Sequence, residues 1–176
     1  MKITNERGFA LIDLVFVCGM IGVLTSIAMP RMLLARQTAG ASSAVGALRA
    51  INSAQLSYAF TCGNGFYAPN LSTLGTSPTG SGEAFVPPSL GYADAINQSG
   101  YRIQMTGTPV ASAPATCNGL GVGEATQGFK AAADPLEAPN KRYFATNAMI
   151  SIYEDSGSLW AAFPENGEPL AGHPLQ

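Results

Sequence analysis

The sequence has little charge and almost no histidine. Charged residues make up 11% of the 176-residue chain, well below the roughly 25% of an average soluble domain. The sequence has a single histidine, His173, which argues against histidine-based catalysis or metal binding. Nine lysine and arginine residues are scattered along a chain of net charge -2, so we expect no nucleic-acid partner. These shortages favour a structural or interaction role.

Motifs for catalysis and ligand binding are also missing from the sequence. It contains no phosphate loop, zinc motif or nucleophile elbow, so we expect no catalytic residue, no cofactor and no enzymatic activity, and a secreted enzyme is the least favoured class. The acidic residues of the C-terminal half lack the spacing of a calcium loop, so we predict no metal site among Asp134, Glu137, Glu154, Asp155, Glu165 and Glu168.

One long apolar segment lies near the N-terminus. Residues 9–29 are apolar or small apart from Asp13, and a helix of this length spans about 30 Å, the thickness of a bilayer's hydrocarbon core. Lys2 and Arg7 precede it, on the side expected to stay cytoplasmic. A secretory signal peptide cut near Ser26-Ile27-Ala28 would have a shorter apolar region. A plain anchor gives Asp13 no purpose, because a charge in hydrocarbon costs about 2.5–3.5 kcal/mol on insertion scales.

The start of the apolar segment carries a family resemblance. The run Arg7-Gly8-Phe9-Ala10-Leu11-Ile12-Asp13-Leu14 resembles the type III signal of type IV pilins and type II secretion pseudopilins, and the resemblance covers residues 2–36. It implies that a prepilin peptidase and N-methyltransferase removes a basic leader, residues 1–8, by cutting between Gly8 and Phe9, and then methylates Phe9. Asp13 would hold the family's fifth mature position, normally a glutamate, and Pro30 the place of a helix-kinking proline.

The residue types at this junction suit such processing. Gly8 has no side chain, so a protease can approach its backbone closely. The cut leaves a positive α-amine on Phe9, one helical turn from Asp13. Pairing compensates two charges that hydrocarbon does not tolerate separately. With an amine from a neighbouring subunit, this pair would set the axial register of a filament.

The resemblance also implies partners and a location. The partners would be an inner-membrane assembly platform and other pilins, which self-associate into a helical filament. The chain would cross the bacterial inner membrane once, with its head in the periplasm, and would then enter a cell-surface pilus or a periplasmic pseudopilus. Two alternatives to a pilus subunit stay open: a pseudopilin of a type II secretion system, and a membrane-tethered binding module.

Helical spacing continues beyond Pro30. Residues that are mostly apolar or small, with the polar Gln55 among them, recur on one side of a helix: Ala44, Val45, Ala47, Leu48, Ile51, Ala54, Gln55 and Tyr58. We predict one helix with a transmembrane half at residues 9–30 and an amphipathic half at residues 31–60. The run Thr61-Cys62-Gly63-Asn64-Gly65 is a strong signal for its end.

Residues 61–176 are predicted to form a loop-rich head. Short helical turns are expected at 70–74 and 89–96, strands at 101–106, 127–133, 142–146 and 150–155, and an extended tail from Phe163. The last two strands should form a hairpin around Asn147. The predicted fold is therefore α+β and pilin-like, with a long N-terminal helix packed on an antiparallel sheet of three or four strands.

The three cysteines fall in two predicted compartments. Cys62 and Cys117 lie in the predicted extracytoplasmic part, where disulfides form and persist. We therefore predict a disulfide between them, with two free thiols as the alternative. Cys18, inside the apolar segment, is expected to act as a small apolar residue.

Overall fold

The computed structural model describes residues 11–138 and 140–175, and it begins with one continuous helix. This helix, α1 (Leu11–Thr61), has 51 residues. It continues through Pro30, so the proline does not end it; the predicted kink stays a prediction. The chain divides into two compact units, one ending at Thr38 and the other beginning at Ala39.

The unit that begins at Ala39, called the head here, contains the second part of α1, two one-turn helices and one sheet. The helices are α2 (Leu71–Leu74) and α3 (Pro88–Gly91), and the strands are β1 (Ala95–Gln98), β2 (Tyr101–Thr106), β3 (Lys130–Pro135), β4 (Tyr143–Asn147), β5 (Ile152–Asp155) and β6 (His173–Pro174). Neighbouring strands are antiparallel, and their order in the sheet follows the chain from β1 to β6. The architecture is α+β as predicted, but the described sheet has six strands where three or four were expected.

The two strands that were not predicted lie at the edges of the sheet. β1 occupies part of the segment expected to be helical to Ile96; α3 ends at Gly91, and Ile96 pairs with Ile103 of β2. β6 lies in the expected tail and has only two residues, one of them Pro174. Proline cannot donate a ladder hydrogen bond, which confines it to positions such as this edge. Strands this short give too few alternations to be recognised from periodicity.

The remaining predicted elements agree with the structure more closely. β2 has the predicted bounds, and α2 matches the predicted turn, with Asn70 Oδ1 accepting a hydrogen bond from Thr73 N at 3.0 Å. β3 overlaps its prediction only from Lys130 onward. β4 and β5 form the predicted hairpin, although Asn147 ends β4 instead of lying at the centre of the turn.

The predicted stripe of α1 packs on one face of the sheet. Leu48, Ile51 and Tyr58 are fully buried. They share a core with strand residues that point to the same face: Ile96, Ile103, Met105, Ala133, Phe144 and Ile152. The opposite face of the sheet is covered by the segment after β5, through a smaller cluster formed by Ala132, Ala145, Leu159 and Phe163. The face packed on α1 therefore forms the main core, and the opposite face is buried at β3 and β4.

Candidate functional site

In the unit that ends at Thr38, the apolar side chains of α1 are exposed. The large ones are between 46% and 78% exposed: Leu11, Ile12, Leu14, Val15, Phe16, Val17, Met20, Ile21, Val23, Leu24, Met29, Met32, Leu33 and Leu34. We call this set the apolar surface. By length and composition, α1 is the one helix among the described residues that could cross a membrane, and none of its most apolar window is buried. Contiguous apolar surfaces of this kind mark contacts with lipid or with other proteins.

The backbone and the hydroxyl groups of this segment are compatible with an apolar surrounding. The Thr25 hydroxyl donates to the carbonyl oxygens of Ile21 and Gly22, at 2.9 Å and 3.0 Å. Thr38 makes the same kind of bond to Leu34 O, at 2.9 Å. Helical backbone groups bond within the helix, except where Pro30 has no N–H to donate. The two hydroxyls are also satisfied within the helix, so they need no water.

Asp13 and Cys18 lie on this part of α1. Both side chains are exposed, and Cys18 is a free thiol. Gly8 and Phe9, the predicted cleavage and methylation residues, lie outside the described residues. The pairing of Asp13 with an α-amine therefore stays a prediction.

Cys62 and Cys117 form the predicted disulfide, with their Cα atoms 4.9 Å apart. The bond joins the residue that follows α1 to the long connection between β2 and β3. Beside it, the Tyr58 hydroxyl donates to Asn118 Oδ1 at 3.2 Å, and Asn118 Nδ2 donates to Thr73 O at 2.8 Å. The disulfide and the Asn118 side chain together fix this connection against α1 and α2.

Two buried amides of α1 contribute hydrogen bonds that the sequence did not reveal. Gln55 lies on the predicted stripe, and its carboxamide forms hydrogen bonds with the backbone of Ala68, which the sequence pattern did not predict. Asn52, which was not predicted to be buried, donates through Nδ2 to Thr146 Oγ1 at 2.9 Å and to Ile150 O at 3.1 Å. These bonds attach α1 to the loop before α2 and to the β4–β5 hairpin.

Most acidic side chains of the C-terminal half accept hydrogen bonds within the head. In residues 11–138 and 140–175, no group of three or more His, Cys, Asp or Glu side chains is placed to hold a metal ion. Glu165 instead accepts hydrogen bonds from Thr108 N at 2.9 Å and from Thr108 Oγ1 at 2.8 Å. This carboxylate therefore ties the C-terminal segment to the turn after β2.

Two carboxyl groups of the sheet have shifted pKa values, in opposite directions. Arg142 donates two hydrogen bonds to Glu154, at 2.5 Å and 3.0 Å, and this charge-assisted pair lowers the pKa of Glu154. Partial burial raises the pKa of Asp134, although the Ser158 hydroxyl donates to its Oδ2 at 2.8 Å. Both carboxyl groups accept hydrogen bonds from neighbouring side chains of the head.

Comparisons of the chain with protein-family models, with curated proteins and with solved structures found no match. The resemblance of residues 2–36 to prepilins therefore stays a prediction, and the function is inferred from the residues described above.

Proposed function

We propose that this chain is the precursor of a structural subunit of a type IV pilus-like filament. The observation that carries the proposal is the apolar surface of α1, which runs from Leu11 to Leu34 with its large side chains about half or more exposed. A surface of this extent in water would drive association, since apolar area is favourable to bury at roughly 25 cal/mol per Å². Lipid covers it before assembly, and the helices of neighbouring subunits cover it afterwards.

Asp13 favours a filament over a simple anchor. Among the described residues of the unit that ends at Thr38, Asp13 is the one acidic residue. It lies within the segment that would enter the hydrocarbon. A single carboxylate there is unfavourable unless it is paired. An α-amine created by cleavage before Phe9 would provide that partner, and a neighbouring copy would bring it into register.

The head supports an extracytoplasmic location. The Cys62–Cys117 disulfide is of the kind that forms and persists in the periplasm or outside the cell. It braces the end of α1 against the rest of the head, so the subunit has a rigid body where α1 ends.

Mass spectrometry of the N-terminus of the membrane-extracted protein from its host tests the proposal. We expect a chain that begins at Phe9 and carries one added methyl group. An intact Met1 would leave α1 as an anchor. A start at Met29 would make residues before it a signal peptide, and either result would refute the proposed function.

A matched pair of variants tests the role of Asp13. Asp13→Leu should insert into the membrane but fail to assemble, because no carboxylate remains to pair with the amine. Asp13→Glu keeps the charge and should retain filaments. Sheared surface fractions, probed for the full chain, report assembly. Normal filaments from Asp13→Leu would instead favour a membrane-tethered binding module.

A further inference from the structure

A groove on the head, beside α1, has a single charged residue in its wall. The groove has a volume of about 500 Å³ and is lined by Arg49, Asn52, Ser53, Ile150, Ser151, Ile152, Pro174 and Leu175. The side chains of Arg49, Ser53 and Ser151 are exposed. The groove therefore offers one guanidinium group and two hydroxyl groups to solvent, and none of the described residues that line it is acidic.

The wall of the groove is held in a fixed conformation. Ile150 has a φ of 64°, a left-handed conformation that is a genuine outlier for a β-branched residue. The buried Asn52 side chain donates to Ile150 O at 3.1 Å, and Ile150 N donates to Asn147 O at 2.8 Å. On the other side, Leu175 N donates to Ile152 O at 2.8 Å. Strained residues persist where the surrounding structure over-determines them, and such positions cluster at functional sites.

Among the described residues, three basic side chains of the head make no hydrogen bond or ion pair: Arg49, Arg102 and Lys141. Of these, Arg49 is the one that lines the groove. Arg142 forms the ion pair of the described residues, with Glu154. Lys130 Nζ donates to Trp160 O at 2.8 Å. A guanidinium group is a planar fork that matches a carboxylate with two hydrogen bonds. The groove is therefore suited to a carboxylate.

The head itself is rich in carboxylates that could fill such a groove. From Ala39 onward the sequence has nine acidic and five basic residues. Three of the acidic side chains are exposed and, among the described residues, accept no side-chain hydrogen bond and form no ion pair: Glu83, Glu137 and Glu168. The surface is thus complementary in charge to the groove of another copy.

We infer that the Arg49 groove binds one of these three carboxylates from the head of a second copy of this chain. The inference rests on the proposed function and adds to it a contact between heads. The two surfaces in such a contact are different, so each copy keeps one of them free for the next copy. Contacts of this heterologous kind produce open helical assemblies when the rotation between copies does not close into a ring.

Cross-linking of the full chain in membranes tests the contact. A thiol-reactive photo-crosslinker is attached at Ser53→Cys in a Cys18→Ser background, so that Cys62 and Cys117 stay in their disulfide. We expect a cross-linked dimer. Arg49→Glu should lower its yield about tenfold, the effect of a 1.4 kcal/mol change in association. The control Lys141→Glu, at another exposed cation, should leave the yield unchanged.

Charge exchange identifies the partner residue. In the Arg49→Glu chain, one of Glu83→Arg, Glu137→Arg or Glu168→Arg should restore the dimer, because the two charges are then exchanged. Mobility on a non-reducing gel verifies the Cys62–Cys117 disulfide, and hence the fold, of each variant. An unchanged yield with Arg49→Glu, or a loss that none of the three exchanges restores, would overturn the inference.

The result is distinguishable from the outcome of the N-terminal analysis. The cross-link is read in membranes before filaments form, so it can be measured in a chain that is not processed at Phe9. A charge-dependent dimer from a chain with an intact Met1 would refute the proposed filament and keep the head contact. A methylated Phe9 with no charge-dependent dimer would keep the filament and refute the contact.

Discussion

The buried carboxamide of Gln55 bonds both backbone groups of Ala68. Gln55 Nε2 donates to Ala68 O and Gln55 Oε1 accepts from Ala68 N, each at 2.9 Å. Gln55 is fully buried. Its side chain thus gives Ala68 the two hydrogen bonds that a neighbouring strand would give. These bonds fix the loop that follows α1 against the helix.

Gln55→Leu should lower the free energy of unfolding by about 2–4 kcal/mol. The substitution keeps an apolar stem but leaves the Ala68 N–H and C=O buried without partners, and each such group costs about 1–3 kcal/mol. Urea unfolding of the detergent-solubilised chain, followed by the fluorescence of Trp160, measures the change. Ser53→Ala, exposed on the same helix, should stay within about 0.5 kcal/mol of the parent. Equal effects of the two substitutions would contradict the role given to Gln55.

Removal of the disulfide should destabilise the head by about 4 kcal/mol. The bond closes a loop with a sequence separation of 55, and the chain-entropy model gives roughly this value for such a loop. The double substitution Cys62→Ala and Cys117→Ala should unfold at lower urea, and reductant should then have no further effect. Cys18→Ala, which removes the free thiol, is the control and should keep the parent's sensitivity to reductant.

Two glycines of α1 should respond to alanine in opposite ways. A Cβ at Gly40 would lie 2.6 Å from Ser99 O, a backbone atom, whereas a Cβ at Gly46 would meet nothing within 4 Å. We expect Gly40→Ala to destabilise the head by about 1–3 kcal/mol, because the helix must move away from the β1–β2 turn. Gly46→Ala should stabilise by about 0.5–1 kcal/mol, because it removes the entropic cost of a helical glycine. Thermal unfolding of both variants decides this, and a destabilised Gly46→Ala would be inconsistent with the structure.

Arg142→Gln should change how stability depends on pH. Because Arg142 lowers the pKa of Glu154 in the folded chain, the pair stabilises fully above the unfolded pKa of about 4.3. That contribution is lost as the pH falls through the lower folded pKa. The variant should therefore be less stable than the parent at pH 7, and the difference should shrink in acid. Urea unfolding over this range measures it, with Lys141→Gln as control. A difference that grows in acid would contradict the pairing.

Asp134 also contributes to how the stability of the head depends on pH in acid. Burial raises the pKa of its carboxyl group, so its effect has the opposite sign: the folded chain gains stability when this group takes up a proton. The parent and the Arg142→Gln variant share this contribution. Their difference at each pH therefore isolates the Glu154 pair.

Periodicity predicted the parts of the fold that have long, regular patterns. The alternation in β2 and the stripe of α1 both extend over enough residues to be unambiguous. The first two residues of β1 were assigned to a short helical turn, although a signal for its hairpin exists in Ser99 and Gly100. These two residues have φ values of 51° and 81°, as the two-residue turn between antiparallel strands requires. The turn was missed because serine carries that signal less strongly than asparagine or aspartate does.

Some features of the candidate site could be predicted from the sequence and others could not, because they depend on contacts at different sequence separations. The disulfide and the exposed apolar segment follow from residue type and compartment, which the sequence shows directly. The bonds that attach α1 to the sheet do not. Asn52 and Thr146, for example, are separated by 94 positions, and no local pattern relates them. The groove at Arg49 depends on the same long-range packing, so it too could be seen only in the folded chain.

The arrangement of the main core sets an order of events during synthesis. Strands that are neighbours in the sheet are neighbours in the chain, so each can pair soon after it is made. The stripe of α1 is synthesised first. Asn52 on this helix can form its hydrogen bond to Ile150 O only after a further 98 residues have been synthesised. During that interval Leu48 and Ile51 have no complete cover, and incompletely covered apolar surfaces aggregate. Until the β4–β5 hairpin is complete, a newly made chain therefore exposes an apolar face through which copies could aggregate, a contact different from the one proposed for the finished subunit.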